Sequence, residues 1–251
     1  MIAIVAGLIT FFFTALLTIA GVGAAFILIP VFIALGIDIH TAMATALLLN
    51  AVAMSVACVT FVRRKLVVWR IAIFTLVAAS ALSPLGVYVS RGLEREPLLW
   101  LFSAFLVFAG LMMLLYTPRP RAEAASTRVQ LAVGSGVGSV AGFVGGLLGV
   151  GGGNIIVPAL VALGLEPKKA SASTSFVVIF SSLAGFLGHA SLGGTDLRLL
   201  AWTAAGAMGG AALGAWLMSA KLQGRQIKVL IGIVLLAIAA RTIWQLVFAA
   251  E

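Results

Sequence analysis

The string Gly21-Val22-Gly23-Ala24-Ala25-Phe26-Ile27-Leu28-Ile29-Pro30 returns 128 residues later as Gly149-Val150-Gly151-Gly152-Gly153-Asn154-Ile155-Ile156-Val157-Pro158. The same spacing carries Ala34-Leu35-Gly36 onto Ala162-Leu163-Gly164. Each copy interrupts a strongly apolar stretch. A duplicated chain whose halves each break one apolar segment with glycine and proline has the pattern of a secondary transporter.

Composition decides the solvent. The chain is 63% hydrophobic and 9% charged, against about 25% charged in a soluble domain, so it belongs in a bilayer. A net charge of +9 would point to nucleic acid in a soluble protein. In a membrane chain it is the Lys/Arg excess that cytoplasmic loops carry, and no nucleic-acid partner is expected. Cys58 is the one cysteine, which rules out a disulfide within the chain and leaves it a small hydrophobe. The first twenty residues lack a basic leader and run into a glycine string whose second copy is internal. They are therefore expected to stay in the mature fold.

Apolar stretches fall at about 2–20, 26–36, 41–62, 67–90, 97–116, 128–148, 152–164, 170–190, 197–220 and 226–249. Most can cross roughly 30 Å of hydrocarbon as helices. The two behind the glycine strings reach little more than half-way at about 1.5 Å per residue. They read as half-helices, with Pro30 and Pro158 disturbing their backbone hydrogen bonds. The expected fold is all-α and polytopic, with repeats over 1–116 and 128–251 joined by a polar, proline-bearing linker over 117–127. Each repeat holds a broken, glycine-rich helical hairpin and three transmembrane helices.

Charge sets the expected orientation. Arg63-Arg64-Lys65, the linker, Lys168-Lys169 and Lys221/Arg225/Lys228 are positive, whereas the loops with Asp38, Arg91/Glu94/Arg95/Glu96 and Asp196 are nearly neutral. An odd number of crossings per half inverts the second half and gathers every positive cluster on one face, the cytoplasmic one. Parallel halves would strand the last cluster outside. The expectation is an inverted repeat with a cytoplasmic linker and external termini.

Non-helical backbone survives at membrane depth only where it is buried in protein or lines a cavity. Gly21, Gly23, Gly149, Gly151, Gly152 and Gly153 therefore suggest two midplane loops. Each leads into a half-helix whose free N–H groups and positive dipole end suit an anion without any charged side chain, and Asn154 adds an amide. Small residues also permit close helix crossings, the role expected of Gly134, Gly136, Gly138, Gly142, Gly145 and Gly146. All seven carboxylates fall in expected loops or at the terminus, which weakens any cation-transport reading. Neutral polar groups remain inside. Thr41 and Thr45 lead to Asn50 and Ser55, while Ser171, Ser173, Thr174 and Ser175 lead to Ser181 and Ser182. From these, Thr45, Asn50, Thr174 and Ser175 are taken as substrate donors, although hydroxyls also cap and pack membrane helices.

Arg70 and Arg198 repeat at the same spacing near helix starts, where arginines ordinarily snorkel. Trp69, Trp100, Trp216 and Trp244 fall near helix ends, as an interfacial belt requires, and Trp202 slightly deeper. His189 ends an apolar helix and His40 reads as a loop residue. Two histidines far apart in sequence give no metal site, no cofactor is implied, and Cys58 has no evident base, so no enzyme is expected.

The paired Gly-Val-Gly strings, with Ala44-Thr45-Ala46-Leu47 and Ser173-Thr174-Ser175-Phe176 behind them, resemble the sulfite exporter TauE/SafE family of membrane permeases over about residues 3–247. The second string is close to the family form. The first has Ala24 and Ala25 where the family commonly has glycine, so the two loops are not expected to contribute equally. The resemblance implies transport of sulfite or an organosulfonate such as sulfoacetate across a bacterial inner membrane. Export by alternating access is the first reading; an anion channel, or an importer of another small oxyanion, is the alternative. Coupling to protons or to membrane potential stays open, as does oligomeric state.

Overall fold

A computed structural model describes residues 2–20, 23–115, 127–189, 197–220 and 225–248. Its elements are α1 (Ile2–Ala20), α2 (Ala25–Ala34), α3 (Ile39–Arg63), α4 (Trp69–Arg91), α5 (Arg95–Leu115), α6 (Thr127–Leu148), α7 (Gly153–Ala162), α8 (Pro167–His189), α9 (Leu197–Ala220) and α10 (Arg225–Phe248). The chain is an all-α, multi-pass membrane protein. Among the described residues α3, α4, α5, α6, α8 and α9 are long and apolar enough to cross a bilayer. Gly21, residues 117–126 of the linker, the Asp196 loop and Lys221 lie outside the described residues.

The expected half-helices are present as α2 and α7, of ten residues each, with Pro30 and Pro158 inside them. The repeated Ala-Leu-Gly is their stop signal. Gly36 and Gly164 take φ of +83° and +96°, and the next N–H folds back, Ile37 onto the Phe32 carbonyl at 3.0 Å and Leu165 onto Leu160 at 3.1 Å. This is the Schellman arrangement that satisfies carbonyls at a helix end. Two sequence expectations are corrected nearby. Asp38 caps α3, its Oδ2 accepting from the His40 N–H at 2.9 Å and the Thr41 N–H at 3.4 Å. His40 is thus in the first turn of a helix rather than in a loop. Glu96 likewise lies in the first turn of α5.

The halves interleave. α4 packs most extensively on α6, and α1 on α9; α3 crosses α8 and α5 lies along α10; α4 flanks α8 as α9 flanks α3. Exchanging the halves (α1 for α6, and so on to α5 for α10) maps these pairings onto themselves, the signature of two-fold pseudo-symmetry. Direction can be read residue by residue. Methyls added to Gly138, Gly142 and Gly146 of α6 would strike the carbonyls of Thr75, Ala79 and Ser83 of α4, so those helices run the same way with backbones touching. Gly206, Gly210 and Gly214 of α9 meet the carbonyls of Gly7, Phe11 and Ala15 in the same manner. Equivalent helices run opposite ways. On α3 and α8, Leu47 lies against Gly185 and Asn50 against Ser182. On α5 and α10, Gly110 lies against Leu236 and Leu114 against Gly232.

The core is central. Phe26, Ile27, Leu28, Ile29 and Phe32 of α2 are fully enclosed with Met43, Leu47 and Leu49 of α3. The outer helices expose all five tryptophans, which suits contact with lipid.

Candidate functional site

Gly23 and Ala24, just ahead of α2, and the turn between α6 and α7 converge on the α3–α8 crossing. Gly23 and Gly151, equivalent in the repeat, take φ of +82° and +74°, the left-handed region that side chains disfavour. Between them lies Asn50, in the middle of α3 and wholly buried. Its Oδ1 accepts from the Ala24 N–H at 3.0 Å, and its Nδ2 donates to Ser182 Oγ of α8 at 3.1 Å. A methyl on Gly23 would collide with Asn50 Oδ1. One on Gly151 would stand 2.7 Å from Ser182 Oγ and 2.8 Å from Asn50 Nδ2. Ser181 Oγ donates to the Gly151 carbonyl at 3.2 Å, and Ser83 Oγ to the Ser181 carbonyl at 3.0 Å. One polar network therefore ties both loops to α3, α4 and α8.

The loops differ where the sequence differs. Ala24, the N-cap of α2, is right-handed at φ −101°, whereas Gly152, the N-cap of α7, is left-handed at +75°. Neither cap has a side-chain hydrogen bond to the helix. The first bonds back to them come from Ile27 and Leu28 onto Ala24, and from Ile155 and Ile156 onto Gly152. The N–H groups of Ala25, Phe26, Gly153 and Asn154 precede those bonds, so each turn faces an open helix N-terminus with its positive dipole end.

Asn154 is 4% exposed and its Oδ1 is buried without a partner; Thr174 is wholly buried and its hydroxyl is likewise unpartnered. Thr45 is buried on α3. Ser175 Oγ donates to the Ser171 carbonyl at 3.0 Å, a bond within its own helix that engages the hydroxyl locally. Gly149 packs on Met43, and Gly152 on the Ala141 carbonyl of α6. Those two let the turn approach its neighbours, while Gly23 and Gly151 flank Asn50; Gly153 begins α7. Of the glycines assigned to packing, Gly134, Gly138, Gly142 and Gly146 contact α4, Gly145 contacts the Gly151–Gly152 backbone, and Gly136 meets nothing.

Ser182, which the sequence did not single out as a substrate donor, stands beside Asn50. The signal was available: Ser182 stands eight residues beyond Thr174, on the same helix face. Among the described residues no group of three or more His, Cys, Asp and Glu is placed to hold a metal. What the network offers is backbone N–H, amide and hydroxyl, the donor set for an oxyanion held without a full positive charge.

The chain matches the model of the family described as Sulfite exporter TauE/SafE over residues 5–242. It is 28% identical over 226 residues to "Probable membrane transporter protein YunE" of Bacillus subtilis (strain 168), across 83% of this chain and 82% of the relative. Shorter matches join it to proteins of Arabidopsis thaliana. With "Sulfite exporter TauE/SafE family protein 1" it shares 43% over 54 residues, 22% of this chain and 12% of the other. With family protein 3 it shares 51% over 45 residues, 18% and 10% of the respective chains.

Proposed function

The chain belongs to the sulfite exporter TauE/SafE family of membrane transporters, and on that premise we propose that it carries a small sulfur-containing anion past Asn50, between its two broken helices. The substrate is sulfite or an organosulfonate such as sulfoacetate. One observation carries the reading: a single buried amide joins the turn of one half to the helix of the other, beside two open helix N-termini. Gly23, Gly151, Gly153, Asn154, Thr45 and Thr174 complete the site. Neutral donors bind an oxyanion and release it, where a buried ion pair would hold it.

The halves form an inverted repeat, supported by the antiparallel α3–α8 and α5–α10 pairs. Alternating access is a rocking of one half against the other about the Asn50 network. The end of the molecule bearing Arg63, Arg64, Lys65, Lys168 and Lys169 faces the cytoplasm of a bacterial inner membrane, in keeping with the positive-inside rule. Net transport is export, which an inside-negative potential favours by about 2.3 kcal/mol per charge per 100 mV.

The test is flux of sulfite and of sulfoacetate in proteoliposomes, with and without imposed potential and pH gradients, beside Gly151→Leu. Saturable flux that vanishes in the variant is expected. Flux that never saturates would make the protein a channel, and absence of flux for both anions from folded protein would retire the substrate.

A further inference from the structure

Two histidines are the whole imidazole complement of this chain, and the fold brings them together. His40 stands in the first turn of α3 and His189 is the last residue of α8. Their ring centroids are 6.2 Å apart, the planes tilted by 36°. They close one end of the α3–α8 seam that holds Asn50 and Ser182 at its middle, with Leu47 against Gly185 in between. Ten residues of α3 separate His40 from Asn50, about 15 Å of helix.

The hydrogen bonding of this pair is incomplete. His189 is 2% exposed, and its Nε2 lies 3.0 Å from the carbonyl oxygen of Gly146 on α6. A carbonyl only accepts, so Nε2 carries the hydrogen and Nδ1 is left as a bare lone pair. That Nδ1 is buried with no partner, and so is Nδ1 of His40. Two unmet imidazole nitrogens, one from each half, meet where the halves must part for this end of the seam to open.

We propose that His40 and His189 form a proton-binding site whose occupation opens this end of the α3–α8 seam, coupling protons to the transport proposed above, on which the coupling role rests. While both rings are neutral they pack as two flat, nearly apolar plates and hold the seam shut. A proton places charge where there is no water, and a buried charge is costly until it is hydrated. Parting α3 from α8 supplies the water.

The surrounding charges fix the sense. Asp38, the cap of α3, is engaged with the backbone N–H groups of His40 and Thr41. Arg91, at the end of α4, acts on His189 electrostatically and opposes a charge there. Arg198 opens α9, which packs on α3. α6 brings the Gly146 carbonyl and no charge. With repulsion on the His189 side, the protonated pair is relieved by separation rather than by tighter packing. A hydrated imidazole titrates between about pH 5 and 8, so in that range a proton is held by the opened seam and refused by the closed one.

Leu47, fully buried between the pair and Asn50, reports the opening. In a Cys58→Ala background, Leu47→Cys is treated with a membrane-impermeant thiol reagent near pH 5.5 and near pH 8. Its rate is normalised at each pH to a cysteine at exposed Gly92. The normalised rate should rise several-fold in acid, and the rise should vanish in His40→Gln and in His189→Gln. Glutamine at 189 keeps an N–H for the Gly146 carbonyl, so that variant removes titration and not the hydrogen bond. Should it nonetheless fail to fold, the half-buried His40→Gln decides alone. A normalised rate indifferent to pH, or an acid response that survives the glutamines, overturns the proposal. The readout needs no substrate. Acid-dependent labelling without sulfite flux would therefore sink the substrate and keep the proton site, and flux with pH-blind labelling would do the reverse.

Discussion

Asn50 commits the two ends of one amide to opposite halves of the chain, and its variants separate folding from transport. Asn50→Ala leaves the Ala24 N–H and the Ser182 hydroxyl unmet, and each buried unmet polar group costs about 1–3 kcal/mol. A clear drop in melting temperature and loss of flux are expected. Asn50→Asp keeps an acceptor for Ala24 but turns the donor end into a carboxylate. At neutral pH flux should be lost by repulsion of the anion. In acid it should recover in part, because the protonated carboxyl again donates where Nδ2 did. A pH profile matching that of the parent would remove Asn50 from the substrate path. Asn50 itself was legible as an amide stranded in an apolar helix. Its partnership with Ser182 was not, because that contact exists only once helices 132 residues apart have crossed. The engagement of Ser175 was hidden for a related reason: its hydroxyl finds a carbonyl four residues back, and no pattern of residue types reveals that choice.

Helix boundaries were mostly written in apolar length and punctuation. α2 and α7 were recognisable as half-helices from glycine before and Ala-Leu-Gly after. The start of α3 was missed because Asp38 was weighed as loop charge, when its carboxylate caps a helix and carries His40 inside. Which helices pair was illegible, since a glycine every fourth residue shows that α6 packs closely but not upon what. The structure supplies α4, and with it a paired test. Gly142→Leu drives a side chain into the Ala79 carbonyl, whereas Gly136→Leu on the same helix enters open space. Overpacking of this kind typically costs about 1–3 kcal/mol or more. Gly142→Leu should lower the melting temperature in detergent and shrink the monodisperse peak in size-exclusion chromatography, and Gly136→Leu should change neither. Equal effects would mean that the backbone contact between α4 and α6 contributes little.

Inversion of the two halves is proposed from the placement of charge, and the antiparallel run of α3 beside α8 supports it independently. The two lines can be tested together. α4 runs alongside α8, with the Val68 N–H on Ser173 Oγ at 2.9 Å and Val87 against Gly188. Lys65, just before α4, and Lys168, at the start of α8, are thereby set at one end of the molecule, and Gly92, just after α4, at the other. Gly92 has only the Val89 carbonyl near an added Cβ, at 3.5 Å, so it accepts a side chain. With Cys58 replaced by alanine, cysteines at 65, 168 and 92 can each be probed with an impermeant thiol reagent in intact cells and after permeabilisation. Gly92→Cys should label in intact cells, and Lys65→Cys and Lys168→Cys only once the membrane is breached. Reversed labelling would place the basic end outside. That would defeat the positive-inside assignment and exchange the end closed by His40 and His189 for the cytoplasmic one, leaving the packing untouched. Labelling of 65 and 168 from different sides would be more damaging, because both lie at the one end where α4 and α8 begin, and the inverted repeat could not stand without that shared end.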